Sequence, residues 1–171
     1  MTHEVSITSD IDTLRAGAEA GNASAQYSLG NMYVNGRGVP EDDAEAVRWY
    51  RLAADQGVAE AQYNLGGMYD YGLGVPEDYG EALRWYRLAA DQGHAEAQVN
   101  LGRMYANGRG VPQDYVQAHM WYNLAASRTT GEARDSAVEF RDNLADLMTP
   151  TQIAEAQRLA HEWAATHPRE P

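Results

Sequence analysis

Few side chains in this sequence stand at spacings that chemistry would need. The five histidines, His3, His94, His119, His161 and His167, show no i, i+4 pair and no H-E-x-x-H pattern, so no zinc-type ligand set lies along one helix. Cysteine is absent, which removes disulfides, thiolate metal sites and thiol nucleophiles. The pairs Gly36-Arg37-Gly38, Gly72-Leu73-Gly74 and Gly108-Arg109-Gly110 could cradle a phosphate, but they follow no strand and lack the P-loop lysine. They read as structural turns. The acidic run Glu41-Asp42-Asp43 precedes a helix, where the dipole favours negative charge, so capping explains it better than acid–base work. What remains is recognition chemistry. Tyr27, Asn31, Tyr63, Asn64, Asn100 and Arg103 carry amides, a guanidinium and phenol rings, groups that bond a peptide backbone or carboxylate and offer flat contact area. No residue is assigned a catalytic, cofactor-binding or metal-binding role.

The elements that must position these groups come from an internal repeat. Ala25-Gln26, Ala61-Gln62 and Ala97-Gln98 stand 36 residues apart, as do Gly30, Gly66 and Gly102. Met32, Pro40 and Trp49 recur at the same period, as Met68, Pro76 and Trp85 and as Met104, Pro112 and Trp121. A period between 20 and 50 residues signals a stacked array whose core is a strip between neighbours. Within the first copy, Ala25, Leu29, Met32 and Tyr33 fall on one face of a helix A over Ala23 to Val34. The glycines and Pro40 break it. A helix B begins near Asp42 and buries Ala46, Trp49, Tyr50 and Ala53, ending at Gly57. Asp42 with Glu45, Asp78 with Glu81 and Asp114 with Gln117 read as capping pairs. A glycine inside helix A costs about 1 kcal/mol against alanine. Three at one register predict a neighbour pressing too close for a Cβ, with the Trp and Ala-Ala of helix B as complements. Arg51 with Asp55, and Arg87 with Asp91, read as i, i+4 surface pairs.

The spacing divides the chain as follows. Residues 1–9 are a loose terminus, and 10–166 are one helical domain. Residues 10–21 form a leading half-repeat; 22–57, 58–93 and 94–129 are full repeats. Residues 130–166 are two capping helices, with faces Ala133, Ala137, Phe140, Leu144, Leu147 and then Ile153, Ala156, Leu159, Ala160, Trp163. Residues 167–171 are a tail. The predicted fold class is all-α.

A net charge of −12 would repel nucleic acid and anionic membranes and favours a basic partner. No run of 18 apolar residues spans a bilayer, and the first residues lack a signal-peptide pattern. A cytoplasmic setting is expected, with the periplasm as the alternative if a leader has been removed.

The motif AQYxLGxMYxxGxGVPxD followed by AxxWYRLAADQG resembles the Sel-1-like repeat, a relative of the tetratricopeptide repeat. It covers Gly21 to about Ala126 three times over. The closing MTPTQIAEAQRLAHEW is similar to the terminal cap of bacterial members. The resemblance implies a right-handed superhelix of antiparallel helix pairs, doing adaptor or scaffold work without catalysis or cofactor. It also implies that helix A lines a concave groove. There Tyr27, Ser28 and Asn31, then Tyr63, Asn64 and Gly67, then Val99, Asn100 and Arg103 are the non-core positions, an arrangement similar to the carboxylate clamp of some tetratricopeptide domains. The expected partner is a protein or peptide, and the expected assembly a monomer or weak homodimer. Cysteine-rich members linked to β-lactamase activity suggest a cell-wall or β-lactam hydrolase as an alternative. Those members carry a disulfide in each repeat, and this chain has neither cysteine nor an S-x-x-K lysine. A self-assembling solenoid is the other alternative.

Overall fold

The computed structural model describes the backbone of residues 2–168 and the side chains of residues 10–168. Every regular element among them is helical: α1 (Thr2–Glu19), α2 (Ala23–Asn35), α3 (Asp43–Asp55), α4 (Ala59–Tyr71), α5 (Tyr79–Asp91), α6 (Ala95–Asn107), α7 (Tyr115–Arg128), α8 (Gly131–Ala145) and α9 (Pro150–Thr166). The fold class is all-α, as the 36-residue period predicts. The helix bounds of the three repeats fall within a residue or two of those read from the sequence. The N-terminal helix is longer, running from Thr2 where residues 1–9 were expected to be loose; His3's side chain lies outside the described ones.

The chain parts between Asp78 and Tyr79 into two compact units, inside the second repeat. In the first, α2 packs on α1 and α3, and α3 packs on α4. In the second, α6 packs on α5 and α7, while α8 and α9 each pack on α7. The predicted stripes are dry. Leu29, Leu65 and Leu101 are fully buried, and Trp49, Trp85 and Trp121 nearly so.

Each A helix ends on a left-handed glycine, Gly36, Gly72 or Gly108, whose N–H donates to the carbonyl of Met32, Met68 or Met104. The start of helix B is more specific than a capping box. Asp42 and Asp114 accept from the N–H of Glu45 and Gln117, both at 3.0 Å. The return bond goes elsewhere, because the N–H groups of Asp42, Asp78 and Asp114 donate to the carbonyls of Tyr33, Tyr69 and Tyr105 at 2.9–3.1 Å. In the first and third repeats the cap thereby ties helix B to its own helix A. Glu45 is left to pair with Arg48 at 3.0 Å. Thr149, at the start of α9, does make the reciprocal box, with Gln152.

The glycines of helix A do meet a close neighbour, but not the predicted one. A Cβ on Gly30 would lie 2.6 Å from the ring of Tyr50, and one on Gly102 the same distance from Tyr122. The tyrosine beside the tryptophan, and not the tryptophan or the alanine pair, presses on the bare backbone. Arg51 and Arg87, read as partners of Asp55 and Asp91, instead donate to the hydroxyls of Tyr69 and Tyr105 on the next A helix.

The glutamines that mark the repeat register turn out to be structural. Gln26, Gln62 and Gln98 are buried, and each Nε2 donates to the carbonyl eight residues back: Ala18 at 3.0 Å, Ala54 at 3.1 Å and Ala90 at 3.1 Å. The last carbonyls of a helix lack intrahelical partners. These three carbonyls also accept from the N–H of Gly21, Gly57 or Gly93, so the buried amide at the start of the following A helix adds a second bond to each.

At the C-terminal end, Ala137 and Leu144 of the predicted α8 face are buried, whereas Ala133, Phe140 and Leu147 are exposed. His167 falls in the predicted loose tail, yet the structure holds it. It stacks on Trp163 at 4.2 Å between ring centroids, and its carbonyl accepts from Arg128 at 2.8 Å.

Candidate functional site

The A-helix residues singled out for recognition are half-buried, and each compact unit holds its own group of them. In the first unit, Tyr27 and Asn31 lie one turn apart on α2, with Tyr63 and Asn64 on α4. Tyr50, from α3, organises three of them. Its hydroxyl donates to Asn31 Oδ1 at 2.7 Å, and its ring lies 6.0 Å from that of Tyr27. Asn64 Nδ2 reaches the same Asn31 oxygen at 3.4 Å. Amides from two successive A helices are thus joined over one phenol. Sequence reasoning found the amides but missed Tyr50 as their organiser, because it counted Tyr50 only as core.

In the second unit, Asn100 and Arg103 share one face of α6, and the Arg103 guanidinium lies near the phenol of Tyr122, the counterpart of Tyr50. Tyr122 is buried, with its ring 5.6 Å from that of Phe140.

Burial dominates the acidity of both phenols. It pushes Tyr50 up to about 12 against the opposing hydrogen bond from Asn64, with smaller upward contributions from Tyr27 and Asp43. It pushes Tyr122 up to about 12 against the positive charge of Arg103. A raised phenol keeps its proton longer in the folded chain than in the unfolded one. Its stabilising share is therefore whole below pH 10 and lost as pH climbs through 12. In a spectroscopic titration of tyrosinate, at least two of the eleven tyrosines are expected to ionise last, together with loss of helicity. A single transition near pH 10 with helicity intact would contradict this packing.

The other candidates resolve into structure. His94 caps α6 by accepting from the N–H of Ala97 at 3.3 Å. His119 is buried, and desolvation together with nearby Arg141 lowers its pKa. Among the described residues no group of three or more metal-ligating side chains converges. The glycine loops serve packing: a Cβ on Gly74 would lie 2.4 Å from the carbonyl of Asp43, and one on Gly110 2.5 Å from that of Tyr79. No helix among the described residues is long and apolar enough to cross a membrane.

The profile of the Sel1 repeat family matches residues 23–58, 59–94 and 95–129, the three copies found by period. The chain belongs to the Sel1 repeat family. A Sel1 repeat protein of Oxalobacter formigenes is 41% identical over 76% of this chain and 98% of its own, with a TM-score of 0.68. The protective antigen c5321 of uropathogenic Escherichia coli, which displays the SLR fold, is 30% identical over 92% of this chain, with a TM-score of 0.69. This chain spans 41% of that antigen's length. Cysteine-rich protein B of Helicobacter pylori shares the fold at 18% identity and a TM-score of 0.60. No curated protein matches the chain. Sel1 repeats are commonly non-catalytic scaffolds for protein–protein interaction.

Proposed function

We propose that this Sel1 repeat protein is a non-enzymatic interaction module that takes an extended peptide segment on the exposed side of its A helices. The reading is supported above all by the amide pair Asn31 and Asn64, fixed by the Tyr50 hydroxyl at the half-buried level where a bound backbone would pass. An amide side chain offers two donors and an acceptor, the complement of a peptide group. Holding it in place before binding removes part of the ordering cost of association. Tyr27 and Tyr63 supply ring area beside the amides in the first unit. Asn100 and Arg103 supply the equivalent contacts in the second, where Arg103 suits a carboxylate. The net charge of −12 favours a segment that is basic overall.

Selection from a library of displayed random peptides tests this. Basic sequences are expected to enrich, and the Asn100→Ala, Arg103→Ala double variant is expected to bind an enriched peptide at least tenfold more weakly with little change in melting. No enrichment, or enrichment indifferent to these two residues, would refute the assignment.

A further inference from the structure

Helix α8 leaves an apolar edge uncovered. Phe140 is 46% and Leu147 66% exposed, one heptad apart, and the helical turn after α8 carries the edge on to Leu147. Phe140 is the only phenylalanine in the chain. Its ring is not loose, since it lies 5.6 Å from buried Tyr122. The same helix buries Ala137 and Leu144 against the rest of its unit, so Phe140 and Leu147 are surplus to holding it down. The main packing partner of α8 is α7, and Val138 packs with Val99 of α6 against the buried Ala125, Ala126 and Ala137; neither contact covers Phe140 or Leu147, which stay exposed.

The surroundings of that edge decide its occupant. Glu132, Asp135, Glu139, Asp142 and Asp146 are all exposed and follow one another at i, i+3 or i, i+4. Every adjacent pair in this ladder is like-charged, which opposes the helix. Asp142 and Asp146 also sit at the C-terminal end, where the helix dipole favours cations. Among the described residues one salt bridge relieves the ladder, from Arg141 to Asp142 at 2.7 Å. Helix α9 shows how the chain treats a merely solvated face, since Arg158 there bridges Glu155 and Glu162. A surface that keeps local conflicts of this kind, beside exposed apolar anchors, is built for something other than its own stability.

We propose that the α8 edge is a docking site for a basic amphipathic helix of a partner protein. The partner's apolar stripe would cover Phe140 and Leu147, and its Lys and Arg side chains would lie over the carboxylate ladder. The proposal does not depend on Asn31 and Asn64, which belong to the other compact unit, whereas Phe140 and Arg103 both neighbour Tyr122.

The probe is a synthetic 18-residue helix with leucines at heptad spacing and lysines elsewhere. A charge-reversed Leu/Glu helix and a scrambled Leu/Lys peptide serve as controls. Fluorescence anisotropy is expected to give saturable binding for the first and at least tenfold weaker binding for both controls. Hydrogen-exchange protection is expected to rise over residues 131–147. Phe140→Ser with Leu147→Ser should reduce affinity at least tenfold. Asp135→Asn with Glu139→Gln should reduce it severalfold and flatten its salt dependence. Asn31→Ala with Asn64→Ala should leave it unchanged. Equal binding of the Leu/Glu or scrambled peptide, protection elsewhere than α8, or indifference to the Phe140 and Leu147 changes would overturn the proposal. A concentration-dependent dimer abolished by the same two serines would also overturn it, by making a second copy the occupant.

Discussion

Trp121→Ala is expected to lower the unfolding free energy of the second unit by about 3–5 kcal/mol, the usual cost of removing a buried indole. A domain of this size has only about 5–15 kcal/mol to lose. Trp121 is 4% exposed and meets Trp163 edge to face at 5.9 Å, so its loss also uncouples α9 from α7. The loss of that aromatic contact adds to the cavity left behind. Trp121→Phe keeps an aromatic ring and should cost less than half as much. Repeat arrays can unfold piecewise, so a single melting curve understates local damage. Hydrogen exchange by mass spectrometry is the better measure. Protection should fall first across α7, α8 and α9. A Trp121→Ala protein with wild-type protection in α9 would show that the indole pair contributes nothing to holding the last helix.

Gly102→Ala gives the second large effect, and its sign is the test. Intrinsic helix propensity alone would make alanine better by about 1 kcal/mol. The structure predicts the opposite. The new Cβ would stand 2.6 and 2.7 Å from two ring carbons of Tyr122, which is itself backed by Phe140. Those are mid-ring atoms of a buried side chain, so the clash cannot be relieved by swinging a flexible tip. Overpacking of this kind costs about 1–3 kcal/mol or more. A net loss of about 1–3 kcal/mol in denaturant unfolding is expected. Tyr122→Leu introduced together with Gly102→Ala should recover part of it, giving a favourable coupling in a double-mutant cycle. A neutral or stabilised Gly102→Ala would mean that helix and ring do not meet as described.

The glycine case also marks how far the sequence could be read. Mid-helix glycine at one register announced a close approach, because nothing else justifies its cost. It could not name the approaching side chain. Trp49 and Tyr50 are adjacent and both fall on the buried stripe of helix B. Which of them faces Gly30 depends on the angle at which two helices cross, a property of the packed pair. The capping aspartates show the same limit. Their type and spacing located the helix starts, but the fate of their N–H groups depended on where the preceding helix ended in space. Tyr33, Tyr69 and Tyr105 offer carbonyls there, and Glu45 is freed for Arg48.

The recognition residues divide in a similar way. Composition and register placed Asn31, Asn64, Asn100 and Arg103 on helix A. The engagement of Asn31 with Tyr50 and of Arg103 with Tyr122 joins residues 19 apart in the chain, between helices whose relative rotation no local pattern encodes. The edge on α8 was the least legible. A five-residue apolar stripe reads as wholly buried when only the period is known. Burial is set by how many helices arrive to cover it, and α8 packs chiefly on α7, which leaves Phe140 and Leu147 in water.

The sequence by itself determined the brick and its repetition: helix A, the glycine and proline break, helix B, three times at one period. Short-range forces suffice for that, since propensity, capping and a 3.6-residue stripe act within one or two turns. The tertiary structure alone decided which ring meets which glycine, which amides share one phenol, and which apolar residues of the last helices stay in water. Those outcomes depend on distances between segments far apart in the chain, and they are fixed only when the helices have packed.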